Sequence, residues 1–291
     1  MSPEPKPIEW AIASLDTPER LAGWEALQAS CECEAGVAAG FLVMHARHGG
    51  KVLGVVGESG LRAAAVAMLG DDSRSDRRIV QARLKLHLAI LLVHPAWRRR
   101  GIATALMLSL RRAAEIDGLP LISWELDPLD SRTAALSFHR LGATSSGWVD
   151  PRQATVASGG PVRRIEVDWW LKSQRVQSRA GARRQALTLA HYLEAGAQQV
   201  NPAGLNRAGM PTPSRVVEAP SRPLALLELP ADAGAFMRQD PSLAAAWRDQ
   251  VWALLEGAFA QGYLLTDFLT LEQEAFPRAF YVLAAGDSTL G

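Results

Sequence analysis

The stretch from Leu84 to Ala143 constrains this chain more than any other, because strand, helix and strand patterns follow one another in it almost without spacers. Leu84 to Val93 alternates only partly between apolar and polar residues, as a strand buried on both faces does. Pro95 ends it, and Trp97-Arg98-Arg99-Arg100-Gly101 makes a basic turn. A helix then opens near Gly101, with Ile102, Leu106, Leu110 and Ala113 on one stripe and Arg111, Arg112 and Glu115 outside it. Gly118 and Pro120 close the helix, and Leu121 to Leu126 is the next strand. A strand, a crossover helix and a strand form a βαβ unit, so the two strands are expected to be parallel and adjacent. The basic turn sits where a helix exposes unpaired N–H groups, and such a site attracts phosphate oxygens.

The rest of the chain arranges itself around that unit. Residues 1 to 9 are proline-rich and expected to be loose. Thr17-Pro18-Glu19 reads as a helix start, with Leu21, Trp24 and Leu27 on one face. Cys31 to Gly40 reads as a loop or a second short helix. Lys51 to Gly57 and Leu61 to Leu69 read as a hairpin around a Glu58-Ser59-Gly60 turn, followed by a charged loop from Gly70 to Arg78. After Leu126, Asp130 or Ser131 caps a helix reaching Leu141, where Gly142 stops it. Arg164 to Leu171 is another strand. From Ser173 to Arg222, Gly, Pro and Asn recur around one short helix near Arg183 to Leu193. Order returns with a strand at Leu224 to Leu229 and a helix started by Asp240-Pro241 and ended by Gly262. Strands at Tyr263 to Leu269 and Phe280 to Leu283 finish the chain.

Composition bounds the function. A net charge of +1 on 291 residues gives no general reason to expect nucleic acid or an anionic membrane as partner. The apolar region from Val52 to Leu69 is broken by Glu58, Arg62 and glycines, so it is no membrane span. Cys31 and Cys33 are the only cysteines, and the N-terminus lacks the apolar core of a signal peptide. A cytoplasmic location is therefore expected. Cys31 and Cys33 with His45 and His48 lack the second ligand pair of a zinc site, so no metal is expected.

Arg98, Gly101 and Ala103 fall on the pattern R/Q-x-x-G-x-G/A. In this the segment resembles the acyl-CoA-binding motif of the GNAT acetyltransferase superfamily. The resemblance implies a mixed, mostly antiparallel sheet with helices on both sides, splayed between the fourth and fifth strands to admit CoA. It implies acetyl-CoA or another acyl-CoA, with succinyl-CoA included, as co-substrate. The implied CoA-binding residues are Leu91, Leu92, Val93, Arg98, Arg99, Arg100, Gly101, Ile102, Ala103 and Thr104. Downstream, Ser131, Ala134, Phe138, Gly142 and Ala143 occupy the positions of the superfamily pattern N-x-x-A-x-x-x-Y-x-x-x-G-F, which adds Ser131 and Phe138 to that set. Phe138 cannot protonate a thiolate as the tyrosine of that pattern does.

A longer match runs through Trp124-Glu125-Leu126-Asp127-Pro128-Leu129-Asp130-Ser131-Arg132-Thr133-Ala134, Trp169-Trp170-Leu171, Arg175-Val176, Trp247-Arg248 and Gly262-Tyr263 to Asp267-Phe268. It resembles a GNAT subfamily with the hallmark W-T-F-D-P-L-x-S-R-N-A and a C-terminal extension, from which Glu125 and Thr133 depart. With the shift in composition from Ser173 to Arg222 read as a linker or surface excursion over 173–222, the chain is expected to hold a GNAT domain over residues 1–172 and a small C-terminal α/β subdomain over 223–291. The subdomain would cover the acceptor site or make a homodimer contact. Relatives that N-acylate amino acids imply a small-molecule amine acceptor. Amine acylation needs a base and an oxyanion donor. Glu125 and Asp127, at the carboxyl end of a strand where open sheets bind ligands, are the leading bases, followed by His94 and His87. Arg132 suits a carboxylate, either of an amino acid or of a succinyl group. Trp170 is the candidate wall of the acceptor pocket. The rival expectation is a silent GNAT fold that binds acyl-CoA as a sensor or scaffold.

Overall fold

The computed structural model describes residues 10–33, 36–58, 60–72, 83–149, 163–180, 187–207, 210–271 and 277–286. The expected loose N-terminus, residues 73–78 of the charged loop and residues 183–186 of the expected short helix lie outside them. Of the described residues, those up to Trp124 form one compact unit, and those from Glu125 onward form another.

The first unit contains β1 (Ala13–Ser14), α1 (Trp24–Ser30), α2 (Ala39–Arg47), β2 (Lys51–Gly57), β3 (Gly60–Asp71), β4 (Leu84–Val93), α3 (Ile102–Ile116) and most of β5 (Leu121–Leu126). The strands lie in the order β1-β2-β3-β4-β5. The first three neighbouring pairs are antiparallel. The expected parallel pair is present, with Leu86 opposite Ile122 and His87 opposite Ser123. Side chains alternate across the sheet. Val52, Ala64 and Val66 face one core with Trp24 and Leu27 of α1 and Leu42 and Val43 of α2. Helix α3 packs across β2, β3 and β4 through its buried stripe of Ile102, Leu106, Leu110 and Ala114.

One local expectation is corrected here. Helix α1 begins at Trp24, not at Pro18: residues 17–23 form turns, and Gly23 takes a left-handed φ of +88° that breaks the helical path. The Thr17 hydroxyl still accepts from the Arg20 N–H at 3.4 Å. After Cys33 the chain enters α2 at Ala39, and the loop before it is held by Trp24 and Gln28, which both donate to the Val37 carbonyl.

The second unit contains α4 (Ser131–Ala134) running into a π-helix (Ala135–Arg140), β6 (Thr144–Trp148), β7 (Ile165–Trp170), α5 (Gln174–Ala180) and α6 (Leu189–Glu194). The short strands β8 (Gln198–Gln199), β9 (Gly204–Leu205) and β10 (Pro211–Thr212) follow. Then come β11 (Leu224–Pro230), α7 (Ala233–Gln239), α8 (Pro241–Ala260), β12 (Tyr263–Leu271) and β13 (Arg278–Ala285). Its strands lie in the order β7-β6-β12-β13-β11-β8, antiparallel except for the parallel contact of β11 with β8. Trp169, Trp247, Phe138, Phe268, Phe280 and Tyr281 fill its core. Residues after Ser173 join that core, since Val176, Ala197, Val200 and Asn201 are buried. Among the described residues no helix is long and apolar enough to cross a membrane.

The helix expected to run evenly to Leu141 widens into the π-helix. The Ser137 hydroxyl takes the Thr133 carbonyl at 2.7 Å, and Leu141 bonds back to Leu136. A side chain that captures an i−4 carbonyl competes with the helical ladder. The Arg179 guanidinium donates to the carbonyls of Phe138 and His139, which completes the wide turn.

Candidate functional site

In the first unit the site grows out of β4. This strand is paired with β3 along its whole length, with one extra residue, Ala89, between the Val66–Ile90 and Ala67–Leu88 pairs. Such a bulge bends the strand that carries it. Its ladder with β5 stops after two residue pairs, so Leu91, Leu92 and Val93 lie on a stretch of β4 edge beyond that ladder. Backbone N–H groups on such an edge are available to a ligand. His87 Nδ1 is 3.3 Å from the Ser123 hydroxyl, a link between the two strands.

The turn after β4 is tightly tied. The Val93 carbonyl accepts from Arg98 Nε at 3.1 Å and from the Cys31 thiol at 3.4 Å. His94 Nδ1 accepts from the Ala96 N–H at 3.2 Å and caps the 3₁₀ turn Pro95–Trp97. That bond assigns the ring proton of neutral His94 to Nε2 and occupies the lone pair a base would use. Arg99 and Gly101 take left-handed φ values of +59° and +80° on either side of Arg100. A Cβ built on Gly101 would meet nothing within 4 Å, so φ, not crowding, calls for glycine there. No side chain caps α3, whose fifteen residues start at Ile102. The first N–H groups of such a helix have no intrahelical partner. The side chain of Ile102 is buried, while Arg98, Arg99 and Arg100 are exposed and Ala103 and Thr104 are half-buried.

A clamp that the sequence reading missed fixes this turn. The guanidinium groups of Arg62 and Arg100 lie 3.9 and 4.7 Å from the centre of the Trp97 ring. Trp10 meets Trp97 edge to face at 6.1 Å and donates its indole N–H to the Arg100 carbonyl at 3.0 Å. Each cation–π contact contributes about 0.5–1 kcal/mol. The partners come from the N-terminus, β3 and the turn, and no local pattern joins them.

In the second unit the candidates cluster just past β5. Asp127 Oδ1 accepts from the Leu129 N–H at 2.9 Å, which closes an Asx turn. Burial raises the Asp127 carboxyl above its ordinary range. The Leu129 N–H, Arg164 and Arg248 pull it down, and Asp130 pushes it further up. The Pro128 carbonyl accepts from the buried Tyr281 hydroxyl at 2.8 Å, which pins the turn to β13. Asp130 is the helix cap: its Oδ1 accepts from the N–H groups of Arg132 and Thr133, both at 3.1 Å. Glu125, with 10% of its side chain exposed, lies 4.0 Å from Arg164 Nε.

The remaining candidates fall in different places. Arg132 is exposed. Trp170 is 36% exposed, whereas its neighbour Trp169 is buried and donates to the Leu141 carbonyl at 2.9 Å. Ser131 is buried and donates its hydroxyl to the Pro230 carbonyl at 3.1 Å. Phe138 is fully buried, edge to face with Tyr281 at 5.8 Å. Among the described residues no group of three His, Cys, Asp or Glu side chains could hold a metal ion.

Beside the π-helix is a buried polar hub that the sequence offered only as a motif. Asp267 accepts from Arg179 and from the Tyr192 hydroxyl, each at 2.9 Å. Its Oδ1 meets His139 Nδ1 at 3.1 Å and its own strand's Phe268 N–H at 2.9 Å. Burial alone would raise its carboxyl, but the His139 hydrogen bond and the Arg179 charge hold it well below the usual range. A bulge at Thr266, where the β12–β13 register shifts, aims the Asp267 side chain.

Comparison with known proteins bears on the first half of the chain. Residues 8–143 match the model of the Acetyltransferase (GNAT) family. No curated protein matches the chain. Among solved structures, the ribosomal-protein-S18-alanine N-acetyltransferase from Escherichia coli is 17% identical. That match covers 55% of this chain and 92% of that one, with a TM-score of 0.42. Naa20 from Chaetomium thermophilum, in complex with a bisubstrate analogue, is 16% identical, over 60% of this chain and 93% of that one, with a TM-score of 0.44. yncA from Salmonella typhimurium, solved with its cofactor acetyl-CoA, is 19% identical, over 62% of this chain and all of that one, with a TM-score of 0.43. The family match agrees with the mixed, mostly antiparallel sheet and flanking helices expected from the sequence. The fold is a GNAT fold.

Proposed function

With the GNAT family match over residues 8–143 as premise, we propose that the chain is an acyl-CoA-dependent N-acyltransferase. It moves an acetyl or succinyl group from CoA to the amine of a small molecule, with an amino acid as the acceptor class. The carrying observation is the uncapped start of α3 behind left-handed Arg99 and Gly101, in register with R-x-x-G-x-A. The longer resemblance, to the subfamily with the C-terminal extension, supports the amino-acid part of the reading.

The donor group fits the residues present. The N–H groups of Ile102, Ala103 and Thr104 donate to the CoA pyrophosphate, helped by the helix dipole. Arg99 and Arg100 offset its charge, and Arg98, tied to Val93, keeps the turn in place. A backbone N–H on the Leu91–Val93 edge steadies the thioester oxygen as charge develops on it.

Acyl transfer forms the amide N–C bond and breaks the thioester C–S bond, so the amine must lose a proton. Asp127 takes it. Its Oδ1 is held by the Leu129 N–H, and no hydrogen bond is recorded on Oδ2 among the described residues. A carboxyl raised by burial is a stronger base than an ordinary aspartate. Glu125 faces a guanidinium, and His94 has spent its lone pair on Ala96. The leaving thiolate is protonated from solvent, because Phe138 has no hydroxyl and lies in the core. The test is thiol release from acetyl-CoA and succinyl-CoA across a panel of amino acids. Turnover with at least one amino acid supports the reading. Binding of CoA without turnover of any acceptor would instead mark a sensor.

A further inference from the structure

In the second unit, two tryptophans and two arginines stack into one ladder that the roles above leave unused. Trp148 ends β6, Arg163 precedes β7, and Arg248 and Trp252 sit one turn apart on α8. The Arg163 guanidinium lies 4.2 Å from the centre of the Trp148 ring and 5.9 Å from that of Trp252. Arg248 lies 5.5 Å from Trp252. The two indoles meet edge to face at 6.4 Å, and Phe259 meets Trp148 at 6.1 Å. On the rim, Glu256 pairs with Arg163 at 3.0 Å and Asp249 lies 3.7 Å from Arg248.

Packing and cation–π attraction explain the stack but not the indole nitrogens. Nε1 of Trp148 and Nε1 of Trp252 are both buried, and neither has a hydrogen-bond partner among the described residues. A buried indole N–H is ordinarily paired, because an unmet donor keeps its full desolvation cost. Two such donors in one cluster, flanked by two guanidinium groups, lack an acceptor, and an oxyanion answers both the donors and the charges. Arg248 of the ladder also acts electrostatically on the proposed base, favouring the ionised form of Asp127.

We propose that Trp148, Trp252, Arg163 and Arg248 form a carboxylate subsite for the acceptor. The two indole N–H groups donate to the carboxylate, and the arginines offset its charge. The proposal rests on the acyltransferase reading and narrows its acceptor to an amine that carries a carboxylate.

Indole N–H resonances of the full chain labelled with ¹⁵N-tryptophan test this without turnover. Trp148→Phe and Trp252→Phe assign the two signals. N-acetyl-L-leucine and N-acetyl-L-phenylalanine, as product mimics, should shift both signals, and their carboxamides should shift neither. Arg248→Ala, at a partly exposed position, should weaken the carboxylate response about tenfold or more while leaving the other indole signals in place. No shift with the carboxylates, or equal shifts with the carboxamides, overturns the proposal. So does a response confined to monomethyl succinate, which would move the subsite to the donor. Acylation of amino acids with silent indoles would sink the subsite and leave the acyltransferase standing. Responsive indoles in a chain that binds no acyl-CoA would do the reverse.

Discussion

Asp127 shows how one turn sets the chemistry of one carboxyl. Burial raises its proton affinity, the Leu129 N–H fixes one oxygen, and Tyr281 holds the next carbonyl. A general base must be ionised, so kcat/KM for acyl transfer should rise with pH through a raised carboxyl pKa and level off above it. Asn at position 127 can still accept the Leu129 N–H but cannot take a proton. Asp127→Asn is therefore expected to lower kcat by about 10²–10⁴-fold and erase that acid limb, with donor affinity unchanged. A pH–rate profile of the variant that keeps the limb would exclude Asp127. Other residues of the longer motifs brace their surroundings. Gly262 ends α8 with a φ of +79°, and Trp247 donates to the Pro211 carbonyl at 3.2 Å. Ser131 and Phe138 spend their side chains on the core.

At the scale of elements, local chemistry explains most boundaries. Asp240 accepts from the N–H groups of Ser242 and Leu243 at 3.1 and 3.0 Å and starts α8 where Asp-Pro predicted it. Asp240→Ala leaves those two N–H groups without their acceptor and should lower the thermal midpoint read by circular dichroism. An unchanged midpoint would mean that the cap contributes nothing. The strand–turn–helix–strand unit was equally legible, because Pro95, Gly101 and Gly118 punctuate it and the apolar stripe has one period throughout. Where a distant partner decides, the pattern is silent. The π-helix depends on Arg179, far along the chain, and on one serine hydroxyl. Strand β6 reads Thr-Ser-Ser-Gly-Trp, which carries no apolar alternation. The clamp on Trp97 joins Trp10 and Arg62 across the first unit. Of the candidate site, the basic turn before α3 could thus be read from sequence, while the parts that hold it rigid could not.

On the scale of the whole molecule, each unit carries its own core, and the second is pinned by one buried acid. Asp267 ties π-helix, α5, α6 and β12 together. Its carboxyl is depressed in the folded state. The stability it contributes is therefore fully present above the ordinary aspartate pKa of about 3.9 and fades as pH falls below it. Asp267→Asn removes the carboxylate that pairs with the buried Arg179 and should cost on the order of 3–5 kcal/mol at pH 7, with a shallower loss on acidification than the parent chain shows. Denaturant titrations across that pH range read both effects, and parallel acid limbs in parent and variant would contradict the hub.

The central claim is that the α3 turn holds acyl-CoA, and calorimetric titration of acetyl-CoA into the full chain and into Gly101→Glu tests it most directly. Glutamate there sets a negative charge beside the uncapped N–H groups and strains a φ of +80°. The expected result is saturable binding by the parent chain and none by the variant, with circular dichroism showing both folded. Equal affinity of the two proteins, or no binding by the parent, would contradict the claim.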